Sequence, residues 1–380
     1  MVRITRRDFL KYCSVAAGAL GLSASTLMKV ERVLANSSAP TVVWIAGAAC
    51  TGCTMSLLNS VFYTTVDDLL LNRINLTYLD TAMATAGSYV NGVEYPGANA
   101  LQAAHDAYNA GGYVLVVEGA IPVGTPPGGA VGDYCRIGQL VPGSTVDSVL
   151  DVVTAFAQKA LAVLAVGTCS SFGGVPGARG NLPNAKGVCF SGTARGGAIE
   201  TSAINVKNRA AGSIAAKTIN ISGCPPHPDW IVGTIAHILD TNITLPSVNN
   251  NYQPVDYGYK EYQCNAGPCP WRYNNTPTRH NSNSGTDNST SFAEPDVNNR
   301  YPLGNSKALG VNKWTGTDLG CLGILGCKGR KTKADCSRRR WNSNAAENYG
   351  VNWCVGSRAG CHGCTEPTFP DKVGKFFTFV

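Results

Sequence analysis

Residues 41–53 read T-V-V-W-I-A-G-A-A-C-T-G-C, an apolar run that ends at Gly47 and is followed by a C-x-x-C pair. An unbroken apolar run of this length is typical of a strand buried in a parallel sheet. The next stretch, 54–71, predicts a helix, because its apolar residues recur on one helical face. The chain therefore opens with a strand, a cysteine-bearing turn and a helix.

Further strands and helices alternate along the first two thirds of the chain. Apolar runs predict strands at 113–119, 161–166 and 218–222, and helical patterns at 99–109 and 145–160 precede the first two of them. Strands that alternate with helices indicate a doubly wound parallel sheet. We therefore predict an α/β domain over about 40–245.

The composition changes from about residue 246. Residues 274–313 are rich in Asn, Ser, Thr and Gly and look like a polar insertion, and the remainder carries short loops between cysteines. Such a segment has little apolar material for a core, so bound metal would have to stabilise its fold. We predict a second, small and irregular domain over 246–380.

The predicted strands deliver cysteines to one edge of the sheet. Cys50 and Cys53, then Cys169, then Cys224 each follow directly after one of the strand runs, and Glu118 ends another. Ligands of such sheets collect beyond the carboxyl ends of the strands. We expect these five side chains to face one crevice.

Cysteine grouping predicts the cofactor class. Twelve of the fifteen cysteines fall into three groups of four, and four thiolates hold one cubane iron–sulfur cluster. The pair Cys50/Cys53 alone is also compatible with zinc or a redox disulfide, but those interpretations leave Cys169 and Cys224 unexplained. A disulfide framework remains the alternative for an exported chain with this many cysteines.

The first 35 residues predict export. Thr5-Arg6-Arg7-Asp8-Phe9-Leu10-Lys11 resembles a twin-arginine signal, and an apolar stretch of small residues follows it. Of the formal net charge of +7, this segment contributes six basic and two acidic residues, so the small excess that remains does not indicate nucleic-acid binding. No later stretch is apolar enough to span a bilayer. We expect a periplasmic protein, or one at the outer face of the cytoplasmic membrane, without a transmembrane segment after cleavage.

Several longer motifs resemble one known family, the small subunit of nickel–iron hydrogenases. They are C-T-G-C-T-M-S-L-L-N-S (50–60), V-V-E-G-A-I-P (116–122), G-T-C-S-S-F-G-G-V (167–175), G-C-P-P-H-P-D-W-I-V-G-T (223–234), C-L-G-I-L-G-C-K-G (321–329) and C-H-G-C-T-E-P-T-F-P-D (361–371). The resemblance covers nearly all of 41–380. It implies a flavodoxin-like domain followed by the small iron–sulfur domain.

The resemblance also assigns ligands to a first, proximal [4Fe-4S] cluster. Matching positions are Cys50, Cys53, Cys169 and Cys224. Glu118 matches an acid near that cluster, although simple hydrogen bonding across the crevice would explain it equally well. The nickel–iron centre itself would lie in a separate large subunit, so we expect no catalytic residue in this chain.

Ligands of a second, medial cluster match Cys336, Cys361 and Cys364. Most of the family has a proline seven residues before the C-x-x-C pair and a three-iron cluster, whereas this chain has Cys354 there. A fourth thiolate predicts a [4Fe-4S] cluster, as in the selenium-containing relatives of the periplasmic type. A [3Fe-4S] cluster beside a free Cys354 remains the alternative.

Ligands of a third, distal cluster match Cys269, Cys321 and Cys327. The family's usual histidine three residues before the first of these is Ala266 here, and we predict that Cys264 replaces it. His280 remains the alternative fourth ligand.

The family motifs and the matched ligand positions together predict the function of this chain. We expect the electron-transfer small subunit of an exported [NiFe] or [NiFeSe] hydrogenase, which relays electrons through three [4Fe-4S] clusters. The partners would be the large subunit and an external carrier such as a multihaem cytochrome c. The alternative is an exported iron–sulfur electron carrier without hydrogenase activity.

Seven basic residues lie between Lys328 and Arg340, around Cys336. We expect solvated charge in the first place, with docking of an acidic redox partner or contact with the large subunit as alternatives.

Overall fold

A five-stranded parallel sheet forms the centre of the molecule in the computed structural model. The structure describes residues 41–69, 74–80, 89–90, 93–94, 100–144, 146–200, 212–239, 244–263, 327–329, 331–341, 352–357 and 359–371. Its strands are β1 (Thr41–Ala46), β2 (Asn75–Leu79), β3 (Val114–Glu118), β4 (Ala162–Val166) and β5 (Thr218–Ile221). Their spatial order is β2-β1-β3-β4-β5, and all neighbouring pairs are parallel. This is the flavodoxin order, so the predicted fold is confirmed.

The described helices are α1 (Gly52–Leu58), α2 (Val66–Asp68), α3 (Ala100–Ala110), α4 (Val149–Lys159), α5 (Thr168–Phe172), α6 (Pro228–Ile238) and α7 (Cys336–Arg339). Short 3-10 helices span Ala215–Lys217 and Val255–Tyr257. Two-residue or three-residue strands pair in four small ladders: Tyr89–Val90 with Val93–Glu94, Ile121–Pro122 with Ala185–Lys186, Arg136–Gly138 with Asp147–Ser148, and Phe190–Ser191 with Ala194–Arg195.

Alternate strand residues fill two separate cores, one on each face of the sheet. Val42 and Trp44 of β1 point into a core shared with α1 and α6, where Trp230 is fully enclosed. Val43 and Ile45 of the same strand point into the opposite core, against α3 and α4. Both faces of the sheet are therefore covered, which explains why the strands read as continuous apolar runs.

The predicted helix over 54–71 is wrong beyond Leu58. The chain leaves the helical conformation after that residue, and the Ser60 hydroxyl donates to the Thr64 carbonyl at 2.9 Å. A side-chain hydroxyl that bonds nearby backbone in this way competes with the helix, and the β-branched run that follows favours the same outcome. Of the described residues from 59 to 69, only 66–68 form a further helix, the short α2.

Strand β2 is an element that the apolar pattern does not predict. Its sequence, N-L-T-Y-L, alternates weakly and it lies at the sheet edge, with only its last two residues buried. An edge strand of this kind gives no continuous apolar run.

The C-terminal segments pack against the same core as the sheet. Ala334 belongs to the core beneath α6, and Gln263 N–H donates to the Thr332 carbonyl at 2.8 Å. Across the described part of the chain, no helix has the length and hydropathy of a membrane span.

Candidate iron–sulfur sites

The loops beyond β1, β4 and β5 bring four thiols to one edge of the sheet. Cys50 and Cys53 flank the turn into α1, Cys169 lies in α5, and Cys224 follows β5. We call Cys50, Cys53, Cys169 and Cys224 the proximal site. The loops beyond β1 and β3 also bond each other, since Gly47 N–H donates to the Glu118 carbonyl at 2.8 Å. The site thus lies at the point where the strand order reverses, where this fold binds its ligands.

Burial and mutual repulsion characterise the proximal thiols. Burial is the main reason that the pKa of Cys53 lies well above its ordinary value, and the charges of Glu118, Cys169, Cys50 and Cys224 raise it further. Burial likewise raises the pKa of Cys169 to about 11. Burial, and then neighbouring charge, raises the pKa of Cys53, Cys169 and Cys224, so these thiols would ionise readily only with a bound cation to compensate their charge.

Small residues line the proximal site where a cluster would need space. A Cβ added at Gly167 would come within 2.6 Å of Cys53 Sγ, and one at Gly174 within 2.9 Å of Cys169 Sγ. Gly52 is similar, with 3.1 Å to Cys50 Sγ. Among the described residues, no three ligating side chains converge on a single metal ion. Four thiols at one edge of the sheet, with glycines next to three of the sulfurs, suit the four corners of a [4Fe-4S] cubane.

Glu118 is a buried acceptor at the floor of the proximal site. Its carboxylate accepts hydrogen bonds from the backbone N–H groups of Cys53 (3.0 Å) and Thr54 (3.2 Å), from the Thr54 hydroxyl (2.5 Å) and from Trp44 Nε1 (3.0 Å). Only 1% of its surface is exposed. Glu118 therefore lies at the same edge of the sheet as the four thiols, and its contacts fix the start of α1 together with Cys53.

A second set of thiols gathers around the start of α7. We call Cys336, Cys354, Cys361 and Cys364 the medial site. Burial first, and then the charges of Cys364, Asp335, Cys361 and Cys354, hold the pKa of Cys336 well above its ordinary value. Burial raises the pKa of Cys364 to about 12. Cys336 therefore lies within electrostatic reach of the other three predicted medial cysteines.

Of the predicted distal ligands, Cys327 alone lies in the described ranges. Its Sγ accepts a hydrogen bond from the Cys361 backbone N–H at 3.2 Å, and its charge also raises the pKa of Cys354 behind the larger effect of burial. The structure thus brings Cys327 against the medial site. Cys264, Cys269, Cys321 and His280 lie outside the described residues. In the described part of the chain, no cysteine is paired in a disulfide.

The Thr168 hydroxyl connects the proximal and medial sites. It accepts the Gly223 backbone N–H at 2.9 Å and donates to the Cys364 carbonyl. Thr168 precedes the proximal residue Cys169, and Gly223 precedes Cys224. One side-chain oxygen therefore joins two proximal loops to the medial C-x-x-C segment.

A second connection runs through Thr365. Its carbonyl accepts hydrogen bonds from the Ser222 hydroxyl and from Gln253 Nε2, both at 2.7 Å, and Gln253 Nε2 also reaches Ser222 Oγ at 2.7 Å. All three residues are fully buried. This network holds the residue after Cys364 against the end of β5.

A buried ionic network holds α7 on the first turn of α6. Arg339 donates to Asp229 Oδ2 at 2.8 Å and bonds both oxygens of Asp335, while Trp230 Nε1 donates to Asp335 Oδ1 at 2.9 Å. Two charge-assisted partners satisfy the guanidinium, although Arg339 is only 2% exposed. The predicted solvation of the basic run is therefore wrong for Arg339, and also for Lys328, which is 5% exposed.

His227 joins the same two segments as a neutral ring. Its Nδ1 accepts the Asp229 N–H at 3.1 Å, so its proton lies on Nε2, which donates to the Arg340 carbonyl at 2.6 Å. Burial lowers its pKa. Both ring nitrogens are occupied by protein contacts, which leaves His227 no free nitrogen for a metal.

Sequence reasoning missed these connecting residues. Thr168, Gln253 and Arg339 carry no motif of their own, because their partners lie far away in the sequence and are mostly backbone atoms or distant carboxylates. The one available signal is that Thr168 and Arg339 lie within three residues of a predicted cysteine ligand.

Known proteins resemble this chain over nearly its whole length. A family model described as "NADH ubiquinone oxidoreductase, 20 Kd subunit" matches residues 50–238, and a model of the C-terminal part of NiFe/NiFeSe hydrogenase small subunits matches residues 307–377. The periplasmic [NiFeSe] hydrogenase small subunit of Desulfomicrobium baculatum is 32% identical, over 98% of this chain and 98% of that protein. A periplasmic [NiFe] hydrogenase small subunit of Nitratidesulfovibrio vulgaris is 30% identical over 98% and 93%. Among solved structures, the reduced, active Ni-Fe-Se hydrogenase of Desulfomicrobium baculatum superimposes with a TM-score of 0.61 at 30% identity, covering 90% of this chain and 100% of that one.

Proposed function

This chain belongs to the family of nickel–iron hydrogenase small subunits, and from that premise we propose that it relays electrons through three [4Fe-4S] clusters. As a small subunit it is part of a heterodimeric oxidoreductase whose partner is a large subunit. The relay would run between the hydrogen site of that partner and an external carrier. Iron–sulfur clusters supply one-electron storage at potentials that their surroundings set.

Contacts among the described members of the predicted ligand groups support the proposal. The Thr168 hydroxyl links the proximal loops to Cys364 of the medial site, and the Cys361 N–H links the medial site to Cys327 of the distal set. Such an order, proximal then medial then distal, is what a chain of electron carriers requires.

Exposure of the proximal site supports its contact with the large subunit. Cys50 and Cys224 are exposed, whereas Cys53 is buried, so one side of the site opens to the surface. Met55 in α1 is 53% exposed next to it. An exposed methionine beside open thiols fits a protein partner that covers the cluster and excludes water.

The ligand assignments, export and acceptor are parts of the same proposal. The medial cluster would be held by Cys336, Cys354, Cys361 and Cys364, and the distal cluster by Cys264, Cys269, Cys321 and Cys327. Residues 1–35 would direct twin-arginine export to the periplasm, which agrees with the periplasmic location of the two relatives. A multihaem cytochrome c would accept the electrons.

Co-purification tests the proposal. The chain, tagged and expressed in a host that matures nickel enzymes, should bring down a nickel-containing large subunit and support hydrogen-dependent dye reduction. A Cys224→Ser variant should lose dye reduction while the partner keeps its nickel. If the chain purifies alone with iron clusters and no nickel partner, it is an electron carrier without hydrogenase activity.

A further inference from the structure

Trp353 carries a buried donor beside the medial site. It precedes Cys354, is 6% exposed and packs in a small cluster with Val355 and Cys361, against which Cys327 and Cys336 also pack. Its Nε1 is buried and has no hydrogen-bond partner among the described residues. A buried indole N–H normally has an acceptor, and leaving it without one is unfavourable.

Neighbouring residues fix the orientation of the indole ring. A Cβ added at Gly356 would come within 2.7 Å of Trp353 Cε3 and 2.8 Å of Cζ3, so the backbone of Gly356 lies on that edge of the ring. The Arg340 guanidinium lies 5.2 Å from the centre of the ring and covers one face. Because Nε1 is on the opposite edge from Cε3 and Cζ3, the N–H points away from Gly356.

Sulfur is the acceptor that this environment offers. The residues that share the small cluster with Trp353 include three cysteines, and two of them, Cys336 and Cys361, belong to the medial site. Thiolates and sulfides of a bound cluster carry negative charge and accept hydrogen bonds, and such bonds are one of the factors that set the reduction potential.

We propose that the Trp353 Nε1–H donates a hydrogen bond to a sulfur of the medial cluster and raises the reduction potential of that cluster. The inference rests on the proposed function, since it needs a cluster at the medial site. The reduced cluster is the more negatively charged state, so a donor at its sulfur stabilises that state more than the oxidised one. Trp353 would then tune the middle step of the relay without binding iron.

Replacement of the indole by phenylalanine tests this role. In Trp353→Phe holoenzyme, a redox titration followed by electron paramagnetic resonance should give a lower medial potential, with proximal and distal potentials unchanged. Trp341→Phe is the matched control, because Trp341 packs against the same small cluster and lies 4.9 Å from His227 between ring centres. An unchanged or higher medial potential in Trp353→Phe overturns the inference, and so does an equal shift in both variants.

A second measurement covers the case in which Trp353→Phe does not retain its medial cluster. Unaltered holoenzyme grown with ¹⁵N-indole tryptophan should show a ¹⁵N coupling and an exchangeable proton at the reduced medial cluster in pulsed resonance spectra. A medial cluster without either coupling overturns the inference alone. If the unaltered holoenzyme contains no medial cluster at all, the proposed function fails instead.

Discussion

Arg339 Nη1 lies 2.8 Å from Asp229 Oδ2, and each of these side chains is only 2% exposed. Arg339 ends the helix that begins with Cys336, and Asp229 lies in the first turn of α6, shortly after Cys224. A buried ion pair therefore spans the proximal and medial sites. We expect this ion pair to fix the position of α7 on α6 more than to add net stability, because the cost of burying two charges offsets much of their attraction.

Removal of Arg339 should strongly destabilise the fold. Arg339→Met leaves Asp229 and Asp335 buried without their cation, and breaking a buried pair in this way typically costs about 3–5 kcal/mol. We expect a lower unfolding temperature and loss of the medial cluster signal. Arg338→Met is the matched control, because Arg338 pairs at 3.0 Å with the exposed Glu261, and a surface pair contributes about 0–1 kcal/mol. Equal effects of the two substitutions would contradict this account of α7.

The hydroxyl of Thr168, and not its methyl group, should determine its contribution to stability and to the coupling between the clusters. Thr168→Val leaves the Gly223 N–H and the Cys364 carbonyl without their partner, which should cost about 1–3 kcal/mol. Thr168→Ser should restore most of the unfolding temperature and of the magnetic coupling between proximal and medial clusters. Thr234→Val serves as the control, since the buried Thr234 hydroxyl has no partner among the described residues. If Thr168→Val and Thr234→Val change the unfolding temperature and the magnetic coupling equally, the Thr168 hydroxyl does not connect the two sites in the way described.

Glu118→Gln should alter the proximal cluster. The carboxylate accepts from four donors, and an amide would turn an N–H₂ group towards some of them, with a loss of about 1.5–3 kcal/mol. Removal of a negative charge should also raise the proximal reduction potential, which redox titration measures. Asp133→Asn, at a surface ion pair with Arg136, should leave that potential unchanged. An unchanged potential in Glu118→Gln would show that its charge does not reach the cluster.

Cys354 decides the type of the medial cluster. Cys354→Pro should convert a four-iron cluster into a three-iron one, seen as a new resonance signal in the oxidised protein, and should raise the medial potential. Cys135→Ala should change neither, because Cys135 packs against one core of the sheet whereas Cys53 and Cys336 belong to the opposite one. If Cys354→Pro retains four irons, another thiol completes the medial site, and Cys327 is the nearest candidate because its Sγ already contacts Cys361.

Sequence patterns predict those parts of the molecule that depend on local order. The run 41–46 forms β1 with the predicted bounds, because a strand buried on both faces is apolar at every position. The convergence of Cys50, Cys53, Cys169 and Cys224 on one sheet edge follows from strand topology alone. The helix over 54–71 fails because local hydroxyl bonding competes with helical pattern after Leu58.

Long-range polar contacts cannot be predicted in the same way. Arg339 looks like one more cation in a basic run, and only its pairing with Asp229, 110 residues away, shows that it is buried. Thr168 is similar, since its partners are backbone atoms of Gly223 and Cys364. Such partners leave no complementary residue in the sequence.

Iron quantitation combined with electron paramagnetic resonance of the oxidised, anaerobically purified heterodimer tests the central claim most directly. Three cubane clusters predict about twelve cluster irons per heterodimer and no three-iron signal. A strong three-iron signal would contradict the assignment of Cys354, and an iron-free chain with its thiols joined as disulfides would contradict the electron relay as a whole.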